Sequence, residues 1–306
     1  MYWGSVRFFK HLILSTVALM IIVPTVLAIV FGVQNYKNKA LIAEYEKHLD
    51  THQLPHMEYL TGVDYSEVIT VPSHEYQELY PDMYVENSAF VEEESDRPIV
   101  YLTFDDGPSA NTETVLNILK KNDVKATFFV VNSNVNAHQY LYNRIVEEGH
   151  TLGIHTYSHQ YTQIYNSVED YLADFHKIYQ KVYELTGVQP TVFRFPGGSI
   201  NVYNQNLYTE IIAEMMRRGF TYYDWNVSSG DAGVTYTSAA IESAVVNGAI
   251  NKSRSIVLMH DSSTKQATAG ALQNIIDKLK DTHEFRALDN SVYPTVFTYK
   301  DNGAGQ

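Results

Sequence analysis

Two histidines four residues apart, His155 and His159, and a distant aspartate, Asp106, could hold a divalent cation in a chain that contains no cysteine. The i, i+4 spacing would set two imidazoles on one side of a helical turn. A carboxylate from elsewhere would complete a two-histidine, one-aspartate set and leave positions open for water and substrate. Zinc suits these borderline ligands, and Fe(II) also takes two histidines and a carboxylate, so other divalent transition metals stay open. Asp105 stands directly beside Asp106. An isolated HxxxH or Asp-Asp pair is an ordinary feature of surfaces, cores and helix caps. What gives these weight is their company.

Five polar segments each follow a short apolar run in a chain that is only 19% charged. They are Thr103-Phe-Asp-Asp-Gly-Pro108, His155-Thr-Tyr-Ser-His159, Arg194-Phe-Pro-Gly-Gly198, Trp225-Asn-Val-Ser-Ser-Gly-Asp231 and Leu258-Met-His-Asp261. These runs and two others read as strands, at 99–104, 124–131, 150–155, 192–196, 220–225, 255–261 and 294–298. Helical patterns separate them at 112–121, 141–148, 167–187, 206–218, 238–251 and 269–280. Ser167-Val-Glu-Asp170 resembles a capping box opening the longest helix, whose apolar stripe is Tyr171, Leu172, Phe175, Ile178, Tyr179, Val182 and Leu185. The alternation predicts an α/β fold with a parallel sheet. Because the polar segments all sit where strands end, it predicts a distorted or incomplete (β/α) barrel with about seven strands, the five loops converging on one face.

Composition narrows the rest. The net charge of −13 over 306 residues disfavours phosphate neutralisation, so nucleic acid is not an expected partner. No P-loop or dinucleotide-binding glycine pattern occurs, so no nucleotide cofactor is expected. The absence of cysteine rules out disulfides, thiolate metal sites and a cysteine nucleophile. Residues 12–33 form an uncharged apolar run of roughly 33 Å as a helix, enough to cross a hydrocarbon core of about 30 Å. A cleaved signal peptide is the competing reading. The run exceeds the usual apolar region of such peptides and lacks a good A-x-A site, which favours an uncleaved anchor. The expected organisation is a cytoplasmic stub (1–11), a transmembrane anchor (12–33), a helical and acidic stalk or spacer (34–97), a catalytic domain (98–300) and a tail (301–306). The catalytic domain would then face outward from a single-pass chain in the cell membrane.

In this order the five segments resemble the motifs of the polysaccharide deacetylase family, also called carbohydrate esterase family four. TFDDGP followed by HTxSH carries most of the specificity, with RxPxG and LxHD adding to it by position. The resemblance implies that Asp106, His155 and His159 hold the metal. It implies that Asp105 is the general base oriented by Arg194, and that His260 is the general acid tethered by Asp231. It also implies that the backbone N–H of Gly197 helps hold the oxyanion. Two departures bear on substrate: Asp231 is followed by Ala232 where many members carry tryptophan, and Ser228 stands where aspartate is frequent. Trp225, Tyr157 and Tyr203 are candidate groove residues beside the motifs. The resemblance and the expected location imply N-deacetylation of an acetylated cell-envelope glycan, peptidoglycan N-acetylglucosamine first. Chitooligosaccharide, exopolysaccharide and acetylxylan remain alternatives, as does a non-catalytic glycan-binding protein on the same fold.

Overall fold

Residues Ile99–Asp105 are buried along their whole length and form the central strand β1. A strand with no solvent face belongs to a parallel sheet covered by helices. The computed structural model describes residues 74–298 apart from 93, 134–135 and 234–236. The expected stub, anchor, first part of the spacer and tail lie outside the described residues. Among the described residues no helix is long and apolar enough to cross a membrane.

Helix α1 (Ala110–Asn122) follows β1, then β2 (Thr127–Val130), α2 (Tyr140–Glu147), β3 (Thr151–Ile154), the one-turn α3 (Tyr161–Ile164) and α4 (Val168–Thr186). Next come β4 (Val192–Phe193), α5 (Tyr208–Arg217), β5 (Thr221–Tyr222), β6 (Val227–Ser228), α6 (Ser238–Ala249), β7 (Arg254–His260), α7 (Gln266–Leu279) and β8 (Glu284–Arg286). Side chains close the helix starts: Ser109 accepts from the Asn111 N–H, Ser167 from Asp170 and Thr237 from Ala240. The expected stripe of α4 is buried from Tyr171 to Val182, each large side chain worth about 2 kcal/mol of transfer free energy.

The sheet order is β5-β4-β3-β2-β1-β7-β6, and every pairing is parallel. β7 pairs with β1 from Ile99↔Arg254 to Asp105↔His260. The other edge of β1 is shared: β8 takes its first half and β2 its second. Followed from β1 both ways, the order is that of a ring cut between β5 and β6. The cut has a local cause. Only four residues separate β5 from β6, and parallel neighbours need a crossover of about a dozen residues or more. One extended segment therefore serves both edges: Tyr223 donates to Phe193 O at its start and Asn226 to Ile256 O near its end. The fold is an α/β curled parallel half-barrel, seven strands in its main path.

One sequence expectation needs correction. Residues 294–298 are not a strand; Asp224 N donates to Thr295 O and Phe297 N to the Asp224 carboxylate, so a side chain replaces a ladder. The short strands β6 and β8 take its place in the count. Residues 74–92, at the end of the expected spacer, fall in the same compact unit as the residues after 98. Residues 74–92 lack a hydrophobic period because their backbone is satisfied by a side chain. The buried guanidinium of Arg218, paired with Glu214, donates to the carbonyls of Tyr76, Leu79 and Tyr80. Met83 is buried and Asp82 pairs with His176 on α4.

Candidate active site and metal centre

Each expected strand end delivers its residues to one place. β1 ends on Asp105, and Asp106 then turns into the left-handed region at φ 73°. Successive strand residues point to opposite faces, so without that turn the two carboxylates would part. With it, both approach one imidazole: His155 Nε2 lies 3.6 Å from Asp106 Oδ1 and 4.0 Å from Asp105 Oδ2. His159 Nε2 lies 3.2 Å from Asp106 Oδ1.

Asp106, His155 and His159 each present one ligand atom, all within 4.8 Å of one another. Nδ1 of His155 faces the Arg194 carbonyl at 2.7 Å. A carbonyl only accepts, so the ring proton sits on Nδ1 and the Nε2 lone pair faces the carboxylate. Burial, reinforced by the neighbouring His159, holds the His155 pKa well below its ordinary value, in the neutral form a ligand needs. Asp106 Oδ1 is buried without a hydrogen-bond partner among the described residues. An orphaned carboxylate oxygen between two imidazoles fits a divalent cation.

The two histidines do not sit on a helical turn, contrary to the spacing argument. Residues 155–160 form a bend after β3. Asp174 on α4 shapes it, its carboxylate accepting from the N–H groups of Tyr157 and Ser158. His159 N donates to Thr156 Oγ1, and His159 adopts φ 55°.

On one side of the triad, Asp105 Oδ1 accepts from Arg194 Nη1 at 2.9 Å. Arg194 is fully buried, donating also to Thr103 Oγ1, Tyr223 O and Asp224 O, with its guanidinium 4.3 Å from the Phe129 ring centre. Burial raises the Asp105 pKa, with Arg194 and His260 opposing, and the net shift is upward. On β7, where His260 is the register partner of Asp105, His260 Nδ1 meets Asp231 Oδ1 at 2.7 Å, while the second Asp231 oxygen accepts from His260 N and Thr268 Oγ1. Burial pulls His260 down. The Asp231 hydrogen bond and the charges of Asp105, Asp231 and Asp106 outweigh it, leaving a pKa pushed up to about 9. His260 is therefore cationic at neutral pH, and its Nε2 remains to serve the site.

Gly197 is exposed on a turn held from several sides. Tyr165 Oη and Asn201 Nδ2 donate to Pro196 O, and the Asp224 carboxylate accepts from the Ser199 N–H and hydroxyl. Trp225 lies half-buried beneath it, 4.8 Å from the Phe297 ring, so its indole is committed to packing. Tyr203 is exposed and 5.0 Å from Tyr161, whereas Tyr157 enters the site through its backbone. Ala232 is exposed beside Asp231, and the Ser228 hydroxyl accepts from Gly230 N.

Three residues escaped the sequence reading, Tyr161, Asp174 and Asp224, while Asp261 was read only as the end of a motif, with no role of its own. Asp174 was legible as a lone acid within the apolar stripe of α4, and Asp224 as an acid at a strand end beside Trp225. Asp261 is buried, accepts from Thr112 Oγ1, and burial pushes its pKa up to about 7. A Cβ at Gly107 would collide with its carboxylate, which is why the turn after Asp106 carries glycine.

A group that accepts a proton on one side of a reacting centre, faced by one that donates from the other, is the equipment of a hydrolase. The comparisons specify which. Residues 92–216 match the family model described as polysaccharide deacetylase. A peptidoglycan-N-acetylglucosamine deacetylase of Bacillus cereus is 31% identical over 214 residues, 68% of this chain and 75% of the relative. The crystal structure of the catalytic domain of a peptidoglycan N-acetylglucosamine deacetylase from Eubacterium rectale superposes with TM-score 0.65 at 33% identity, covering 70% of this chain and 98% of that one. A polysaccharide deacetylase structure from Bacillus cereus gives TM-score 0.58 at 31% identity, covering 67% and 99%. The chain belongs to the polysaccharide deacetylase family.

Proposed function

We propose that this chain removes N-acetyl groups from a cell-envelope polysaccharide, peptidoglycan N-acetylglucosamine first, using one divalent cation, zinc, held by Asp106, His155 and His159. The observation that carries the reading is the orphaned Asp106 oxygen between two imidazoles, flanked by the buried Asp105 and a cationic His260. The printed names of the relatives support the substrate.

Bound there, the cation would polarise the acetyl carbonyl and lower the pKa of water towards about 7. Asp105, held by Arg194, accepts the proton of the attacking water as the carbon–oxygen bond forms. The Gly197 N–H donates to the carbonyl oxygen as it becomes negative. His260 Nε2–H gives its proton to the departing nitrogen, so amine rather than amide anion leaves, and Asp231 stabilises the cation that precedes this transfer. Products are acetate and a free sugar amine.

Incubation of the zinc-loaded full-length protein with acetylated muropeptides should release acetate and lower product mass by one acetyl group per modified sugar. Parallel arms with chitooligosaccharide, acetylxylan and an acetylated glucosamine exopolysaccharide read the substrate class. No acetate from any arm would sink the enzymatic reading and leave a glycan-binding protein. Asp174→Ala, which frees the bend between the histidines, should weaken zinc binding about 10- to 100-fold by calorimetry.

Residues 12–33 complete the proposal as an uncleaved anchor in the cell membrane, with the enzyme on the extracytoplasmic side. The length of the uncharged run supports it.

A further inference from the structure

Position 197 has no side chain, and the space one would fill is taken by another residue. A Cβ on Gly197 would stand 2.8 Å from Tyr161 Cε1 and 3.2 Å from its hydroxyl oxygen. Gly197 itself adopts φ 77°, which glycine reaches without strain. The phenol of Tyr161, on the first residue of α3, thus lies against the backbone that carries the oxyanion-holding N–H. Its ring meets His159 edge-on at 5.3 Å and 89°, and is backed by Tyr203 and Tyr165 at 5.0 and 6.1 Å. These contacts fix the ring and leave its hydroxyl as the open end.

Among the described residues the Tyr161 hydroxyl and the Gly197 N–H have no hydrogen-bond partner, although the neighbouring Tyr165 hydroxyl and Asn201 amide both bond to Pro196 O. Two unspent donors side by side, next to a ligand histidine, suit one acceptor that is neutral on arrival and gains negative charge during reaction. An acetyl carbonyl oxygen has that chemistry. Building on the function proposed above, we infer that Tyr161 is a further catalytic residue, its hydroxyl donating beside Gly197 N–H to the acetyl oxygen.

A donor that works mainly when the oxygen is charged affects turnover more than binding. Tyr161→Phe keeps the ring and its packing. In the zinc-loaded full-length enzyme it should lower kcat about 100-fold while KM stays within a few-fold and zinc affinity does not change. The comparison is run on an acetylated glycan and on 4-nitrophenyl acetate, which has no sugar. Turnover of the ester alone by the wild type removes the glycan assignment yet still reads Tyr161. An unchanged kcat in Tyr161→Phe overturns the inference, and so does a fall in kcat matched by a fall in zinc affinity, which would mark the phenol as a prop for His159. A second variant, Tyr161→Ala, should lose the same kcat and also raise KM, because it removes the wall as well as the donor.

Discussion

Asp105→Asn is expected to lower kcat about 1,000-fold while zinc still binds with its original affinity. The amide has the shape of the carboxylate and can accept from Arg194 Nη1, but it cannot take a proton from water. Arg194 keeps Thr103 Oγ1, Tyr223 O and Asp224 O as partners, so it is not left bare. Its charge nonetheless loses its counterion inside the protein, and stability should fall by about 2 kcal/mol in denaturant titration. The combination is diagnostic. A base assignment requires lost turnover, retained metal and a folded protein together; retained turnover would return Asp105 to a structural role.

Asp231→Asn tests the other side. His260 must carry its proton to serve as acid, so activity falls as pH rises through its pKa, and in the wild type that limb lies at or somewhat below about 9. A cation beside Asp106 offsets part of the charge that raises it, which sets the direction of that difference. Without the Asp231 carboxylate, burial is opposed only by the charges of Asp105 and Asp106, and the limb should move down towards the ordinary value near 6.5. At pH 8 the protonated fraction then drops about 30-fold, on top of any loss from a misplaced ring tautomer. A kcat–pH profile with its alkaline limb unmoved would exclude His260 as the acid. The same pair has a stability signature. His260 has a folded pKa above its unfolded one, so the stabilisation is fully present below about 6.5 and is lost as pH rises through about 9.

The residues proposed to do chemistry were legible because their types are conspicuous in a chain with few charges and no cysteine. Asp105, Asp106, His155, His159, Arg194, Asp231 and His260 all stand where the alternation of runs placed them. What could not be read was how the backbone holds them. The spacing of His155 and His159 suggested a helical turn, yet a carboxylate on α4 supplies the same result through a bend, a contact that joins segments far apart in sequence. Tyr161 escaped for a related reason. Its importance depends on an absent side chain at position 197, and an absence has no composition signal. Residues 74–97 looked like spacer because Arg218 satisfies carbonyls that no local pattern announces. The two-residue edge strand β6 is likewise too short for any period to register.

The extended segment that closes both edges of the sheet carries more than hydrogen bonds. At its start, Tyr223 O and Asp224 O receive the guanidinium that steadies the proton acceptor. Just past its end stands Asp231, which steadies the proton donor. On the function proposed above, the two halves of the chemistry are thus held by one short stretch of chain. The Ser228 side chain, exposed along it, takes no part in those contacts. A single residue added or removed between Asp224 and Asp231 would shift one of them against the other, which a substitution at Ser228 would not.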